Sequence, residues 1–291
     1  MTNPFPPAIH EPLFRISLAE WSLHRALESG NLNHLDLPKA ARQTYGIDAI
    51  ELVNVFFKDK AYDQKYLTDF KKRADDLDVK ILLIMCDHEG MLGDADESQR
   101  IAAVENHRKW LEAARFLGCH SIRVNAHSTG SELEQQDRVA DGLHRLSGFA
   151  APLGLNVLVE NHGGLSSNGS WLVSLIKKVN LPNCGTLPDF GNFKLADGLE
   201  YDRYQGVREM MPFARAVSAK SQDFDALGNE TSTDYHRMLK IVLAAGYRGY
   251  LGIEYSGDGM DEPRGILATK WLLEKWRDEI AFGLPTKTLL S

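Results

Sequence analysis

Four oxygen-bearing side chains close four candidate strands in the second half of the chain. Glu160 ends 156–159, Asp189 follows 184–188, Gln222 follows 216–221 and Glu254 follows 249–253. Side chains alternate along a strand, so Glu160 shares a face with Leu158 and His162. By the same parity Gln222 lies with Ser218 and Lys220, and Glu254 with Ser256. If these faces converge, three carboxylates and an amide meet at one place. Crowded carboxylates repel one another and resist desolvation, and a divalent cation resolves both problems. Oxygen ligands suit Mg2+ or Mn2+, while a histidine within reach admits Zn2+, Co2+ or Fe2+. A single strand-end glutamate is more often solvated or paired with Lys or Arg. It is the repetition at successive strand ends that points to a metal.

The elements that must position these groups follow from periodicity. Residues 169–180 carry Trp171, Leu172, Leu175, Ile176 and Val179 at helical spacing,. Flanked by the runs ending on Glu160 and Asp189, they make a strand–helix–strand unit with parallel strands, and both carboxylates fall at the carboxyl edge of the sheet. Earlier strands read at 14–18, 48–54, 80–87 and 121–127. Between them, helices read at 37–45 (capped by Asp36, with Pro38 in its first turn), 65–77, 98–117 (ended by Gly118) and 132–153. Later helices read at 198–211, 233–245 and 263–280, around strands at 216–224 and 249–257. Eight strands alternating with eight helices predict an α/β chain folded as a (β/α)8 barrel. No G-x-G-x-x-G follows the first strand, which argues against a doubly wound open sheet. No linker divides residues 1–291, so a single domain is expected, with its core at about 14–280 and a surface extension at 282–291.

Bulk properties narrow the function. The 291 residues suit one barrel of ~250 residues with extensions, and 43% hydrophobic residues can bury a large core. Thirty-three basic against 40 acidic side chains give a net charge of −7, which offers no basic footprint for nucleic acid. No apolar stretch reaches the ~18 residues of a membrane span, and residues 1–7 lack a signal-peptide pattern. Cys86, Cys119 and Cys184 are sparse and unpaired in spacing, as expected of reduced buried thiols in a cytoplasmic setting,.

The segments Val159-Glu160-Asn161-His162, Leu187-Pro188-Asp189-Phe190-Gly191-Asn192, Ala219-Lys220-Ser221-Gln222-Asp223-Phe224 and Gly252-Ile253-Glu254 resemble the xylose isomerase-like TIM barrels. The resemblance runs from about Phe14 to Ile280. That superfamily holds sugar isomerases, sugar 3-epimerases, inosose dehydratases, 3-dehydroshikimate dehydratases and endonuclease IV. It implies one divalent metal held by Glu160, Asp189, a residue of the seventh strand and Glu254. It also implies that the two glutamates are the acid and base of a proton transfer through an enediolate. The family commonly reads His-x-Lys on the seventh strand, where this chain has Ser218-Ala219-Lys220. Gln222, Ser218 or a water therefore fills that ligand place, with the amide of Gln222 the better donor. Many relatives also carry a histidine three residues after the sixth-strand aspartate, where Asn192 stands here. Fewer imidazoles tilt the site toward Mn2+ or Mg2+, with Zn2+ or Co2+ as alternatives.

Further polar groups end other strands: Glu51 on the second, His88 after the third, Arg123, Asn125 and His127 on the fourth. With His162, Asn192 and Trp21 they form the expected substrate-binding set, although Glu51 and Arg123 could instead pair as buried ions inside the barrel. Lys220 is a candidate catalytic group, able to bind a hydroxyl or act as an acid. The function expected is metal-dependent isomerisation or epimerisation of a sugar or keto-polyol. Alternatives are a dehydratase of a keto-polyol or 3-dehydroshikimate type substrate, and a non-catalytic sugar-binding barrel. The partner expected is a small carbohydrate, with no nucleic acid and no membrane, and a homo-oligomer is allowed.

Overall fold

A computed structural model describes residues 11–282. Eight parallel strands form the barrel: β1 (Arg15–Ala19), β2 (Ala49–Val53), β3 (Lys80–Met85), β4 (Ser121–Val124), β5 (Asn156–Glu160), β6 (Cys184–Leu187), β9 (Val217–Ser221) and β10 (Tyr250–Tyr255). A short antiparallel hairpin, β7 (Lys194–Ala196) and β8 (Leu199–Glu200), interrupts the series. The continuous ladder runs β6-β5-β4-β3-β2-β1-β10-β9. The seam between β6 and β9 closes through isolated bridges, Thr186 with Ala214 and Asp189 with Ser218.

The helices are α1 (His24–Glu28), α2 (Leu37–Lys39), α3 (Gln64–Asp75), α4 (Glu97–Leu117), α5 (Glu132–Ala150), α6 (Gly169–Val179), α7 (Arg203–Met210), α8 (Tyr235–Ala244) and α9 (Glu262–Phe282). Asp63, Asp96, Asn168, Asp202 and Asp234 each accept a bond from a first-turn amide, and Ser131 makes a full capping box with Glu134,. Among the described residues, no helix is long and apolar enough to cross a membrane.

Strand parity builds two cores. Val157 and Val159 of β5, Ile50 and Leu52 of β2, and Leu251 and Ile253 of β10 face outward into the layer under the helices. Leu158, Leu83, Met85 and Leu187 face inward with Ala19, Val53 and Ala216 as a small plug inside the barrel. Two positions beyond Leu158, Leu187, Met85 and Ala216 the chain reaches the barrel mouth, with the polar residues Glu160, Asp189, Asp87 and Ser218.

Two expectations change, and a third lies outside the described residues. Asp36 does not cap a helix at 37–45: its side chain binds Arg73 at 3.0 Å, and Asn33 caps the preceding turn instead. The short α2 runs directly into a π-helical turn at Ala40–Thr44. Residues 198–211 are not one helix, because Gly198 at φ +71° makes the hairpin turn and Asp202 starts α7 only afterwards. The expected extension at 282–291 falls, beyond Phe282, outside the described residues, as does the stretch 1–7.

Glu51 shows what parity alone misses. It points inward, as expected, but sits deep in the barrel, 1% exposed, accepting a 2.6 Å bond from Ser17. A Cβ at Gly252 would lie 2.6 Å from both its carboxylate oxygens, so the glycine makes its room. It does not line the cavity above and makes no ion pair with Arg123. Burial is the main cause that lifts its pKa from 4.5 to about 7, outweighing the Ser17 bond. Between those values the folded chain holds a proton that the unfolded chain has released. The stability from this group is therefore full below pH 4.5 and is lost as pH rises toward 7, at up to about 1.4 kcal/mol per pH unit. Urea melts of metal-free protein across this range should show a shallower fall for Glu51→Gln than for the parent. Parallel profiles would remove Glu51 as a source of the pH dependence.

Candidate metal centre and active site

Glu160, Asp189 and Glu254 meet at the carboxyl ends of β5, β6 and β10, each 4% exposed or less. Each offers a carboxylate oxygen, and the three oxygens lie within 4.8 Å of one another. The two oxygens of each acidic group on β5 and β6 are held differently. Asp189 Oδ1 accepts from the amides of Gly191 (2.7 Å) and Asn192 (2.8 Å), whereas Asp189 Oδ2 is buried with no hydrogen-bond partner. Glu160 Oε1 accepts from Asn192 Nδ2 at 3.0 Å. Glu160 Oε2 lies 2.8 Å from Arg123 Nε, but neither atom makes an aligned hydrogen bond.

Glu254 differs. Its Oε1 takes a 2.6 Å bond from Lys220 Nζ, its neighbour in the β9–β10 register, and Ser218 Oγ stands 3.5 Å from Oε2. Burial is the largest influence on Glu254 and pulls its pKa upward, yet Lys220, with help from Arg123, holds it below its ordinary value. Burial wins at the other two: Glu160 rises to about 7 despite Arg123, and Asp189 to about 7 despite Lys220.

The loops are stitched so that these groups stay in place. Asn161 is fully buried; its Oδ1 accepts from the Asp189 amide at 2.7 Å, and its Nδ2 donates to the carbonyls of Asp189 and Asn192. Arg123 spans from Glu160 to Asp87, whose Oδ1 it meets at 2.7 Å, and Asn125 donates to the same oxygen at 2.8 Å. Asp87 is buried enough to be pushed up, but Arg123 and Asn125 win and bring it down to about 2, so it stays a carboxylate.

Above the carboxylates opens a cavity of about 1100 Å³. Of the expected residues, Trp21, His88, Arg123, Asn125, His127, His162, Lys220 and Glu254 line it. Burial lowers the pKa of His127 and His162, which leaves both imidazoles neutral at pH 7. Asn192 orients Glu160 and Asp189 rather than lining the cavity.

Gln222 is a correction. β9 ends at Ser221, and Gln222 is exposed, with its backbone N–H donating to Glu230 Oε1 at 3.3 Å. The structure does not bring it to the carboxylates, and Ser218 stands where the strand faces them. Asp87 and Asn161 were not singled out in the sequence. Asp87 carried a signal, since it too is a carboxylate following an apolar strand. Asn161 carried none, because its parity points away from the mouth.

The donor set fits a divalent cation. Three buried carboxylates each bring an oxygen within 4.8 Å of the others, Asp189 Oδ2 has no hydrogen-bond partner, and Lys220 and Arg123 are the cations that balance them. The donors are oxygen atoms, which favours a hard ion.

The family model described as a xylose isomerase-like TIM barrel matches residues 39–282. No curated protein sequence matches significantly. Among solved structures, the apo 3-keto-D-glucoside 4-epimerase from E. coli is 18% identical, with a TM-score of 0.67 over 83% of this chain and 94% of that one. An L-ribulose 3-epimerase is 17% identical, TM-score 0.70, over 94% and 98%. The IOLI protein, solved with a bound zinc atom, is 14% identical, TM-score 0.70, over 91% and 99%. At these identities the neighbours speak for the fold, while the family model covers most of the sequence. The chain belongs to the xylose isomerase-like TIM barrel family.

Proposed function

We propose that the protein is a divalent-metal-dependent isomerase or epimerase of a sugar or keto-polyol. The observation that carries this reading is the buried Glu160–Asp189–Glu254 cluster, with Asp189 Oδ2 left without a partner, beneath a cavity lined by Glu254, Lys220 and Arg123. The epimerases among its structural neighbours are consistent with it. Glu160, Asp189 and Glu254 would hold the ion, Mn2+ or Mg2+ in preference to Zn2+ or Co2+. A bound ion would polarise the substrate carbonyl and so acidify the adjacent C–H.

The chain's own residues do the rest. Glu160 and Glu254 stand on strands separated by β6 and β9, so a substrate lying over the mouth has a carboxylate toward each side. One takes the α-proton and leaves an enediolate. The other returns a proton, on the opposite face for epimerisation. Lys220 stays protonated because Glu254, Asp189 and Glu160 outweigh its burial. It can therefore donate to a substrate hydroxyl while keeping Glu254 ionised. Asn192 and Arg123 fix Glu160, and Arg123 is itself fixed by Asp87. The neutral His127 and His162 can accept or donate to hydroxyls along the wall.

The ammonium of Lys220 favours one second reading. If it protonated a β-hydroxyl after the α-proton left, water would be eliminated and the enzyme would be a dehydratase. Incubating Mn2+-loaded protein with ketoses in D2O and following the α-carbon separates these outcomes. Deuterium in recovered or epimeric sugar supports the isomerase or epimerase, loss of water supports the dehydratase, and no label with any sugar opposes both.

A further inference from the structure

We infer that the sugar taken by this site carries a second ring, a glycosidically linked sugar, held in the part of the cavity away from the carboxylates. The inference rests on the isomerase or epimerase reading and extends it to the size of the substrate. Clefts of ~300–1,000 Å³ already hold drug-sized ligands, so about 1100 Å³ is more than a free monosaccharide fills.

The cavity spreads over the barrel mouth, and two parts of its lining matter here. Lys220 of β9, Glu254 of β10 and Ser256, which follows β10, form one. The loops after β2 and β3 form the other, with Asn54, Val55, Lys58, His88 and Met91. A monosaccharide chelated over the carboxylates would leave the second wall facing water.

That second wall is built like a sugar subsite. Trp21 borders it, stacked on His24 at 4.9 Å between ring centroids and flanked by Phe56, and so presents a braced aromatic face. Val55 and Met91 add apolar surface. Glu89 is fixed by Trp110 Nε1 at 2.6 Å, Lys109 at 2.8 Å and Asn54 at 3.0 Å. His88 holds a left-handed backbone at φ +62°, a conformation that non-glycine residues adopt sparingly and that recurs at ligand sites,. The charges are balanced, Glu28 and Glu89 against Lys58 and Lys109, and Lys109 is already engaged by Glu89. This mixed lining suits an uncharged polyhydroxyl ring better than a phosphate.

The test is calorimetric binding to the Mn2+-loaded protein of D-fructose, D-fructose 6-phosphate and three keto-disaccharides that attach a sugar to fructose at different positions, palatinose, turanose and lactulose. At least one disaccharide should bind tighter than D-fructose by ~10-fold or more. Met91→Trp, which fills the second wall, should shrink that ratio. If D-fructose or its phosphate binds as well as every disaccharide, or if Met91→Trp leaves the ratio unchanged, the second-ring subsite is wrong. Deuterium exchange into D-fructose alone would overturn this inference while leaving the isomerase or epimerase reading standing. Neither binding nor exchange with any of the five would overturn both.

Discussion

Glu160→Gln and Glu254→Gln are each expected to cut α-proton exchange by ~10²–10⁴-fold, the usual worth of a positioned general base. Both replacements keep the shape and an acceptor oxygen, so Asn192 and Lys220 retain partners. The two variants should differ in stability. Glu160→Gln removes a carboxylate that burial already pushes toward its neutral form. Glu254→Gln instead leaves the buried Lys220 ammonium without the charge it meets at 2.6 Å, and breaking such a pair costs ~3–5 kcal/mol,. Melting curves should therefore show the larger drop for Glu254→Gln, even though both lose exchange. In an epimerase that loss falls on the face of the substrate carbon that the replaced glutamate serves, and exchange on the other face remains. If both exchanged as fast as the parent with metal bound, neither glutamate would be the base, and Lys220 or His162 would be the next group to test.

Loss of metal is the second large effect. Asp189→Ala should reduce bound Mn2+ from one per chain to a small fraction of that after dialysis. It removes the buried oxygen that has no other partner. Equal metal in parent and variant would take Asp189 out of the site. Metal should also support the fold, because without it three carboxylates share a dry pocket. A ligand at 100 times its Kd adds ~2.7 kcal/mol, so chelation should lower the melting temperature and Mn2+ or Mg2+ should restore it. A melting curve that ignores verified metal removal would argue that Lys220 and Arg123 already satisfy the cluster.

Much of this site is written in strand ends. β5 spans the expected residues, and its alternation of Val157 and Val159 outward with Leu158 and Glu160 inward is legible directly from the sequence. Asp189 and Glu254 are legible for the same reason: an apolar run must stop where a carboxylate meets the mouth. Parity gives a face but not a depth, which is why Glu51, on the correct face, lies too low to reach the cavity. Parity also holds only while the strand lasts. Gln222 has the inward phase of Ser218 and Lys220, but the chain has already left β9 and turned toward Glu230. The hairpin at 194–200 hid behind apolar spacing that resembles a helix, because a positive φ at Gly198 is invisible to periodicity. The tie from Asn161 to Asp189 and Asn192 joins two loops, and nothing in either segment alone announces it.

The account stands most directly on where a metal binds. Anomalous diffraction from crystals grown with Mn2+ should show one strong peak in contact with oxygens of Glu160, Asp189 and Glu254, at the ~2.0–2.2 Å usual for carboxylate ligands of small divalent ions. Asn192 should still be bonded to Glu160. No peak there, or a peak on other residues with Glu160 still against Arg123 and Asp189 Oδ2 still unbonded, would contradict it.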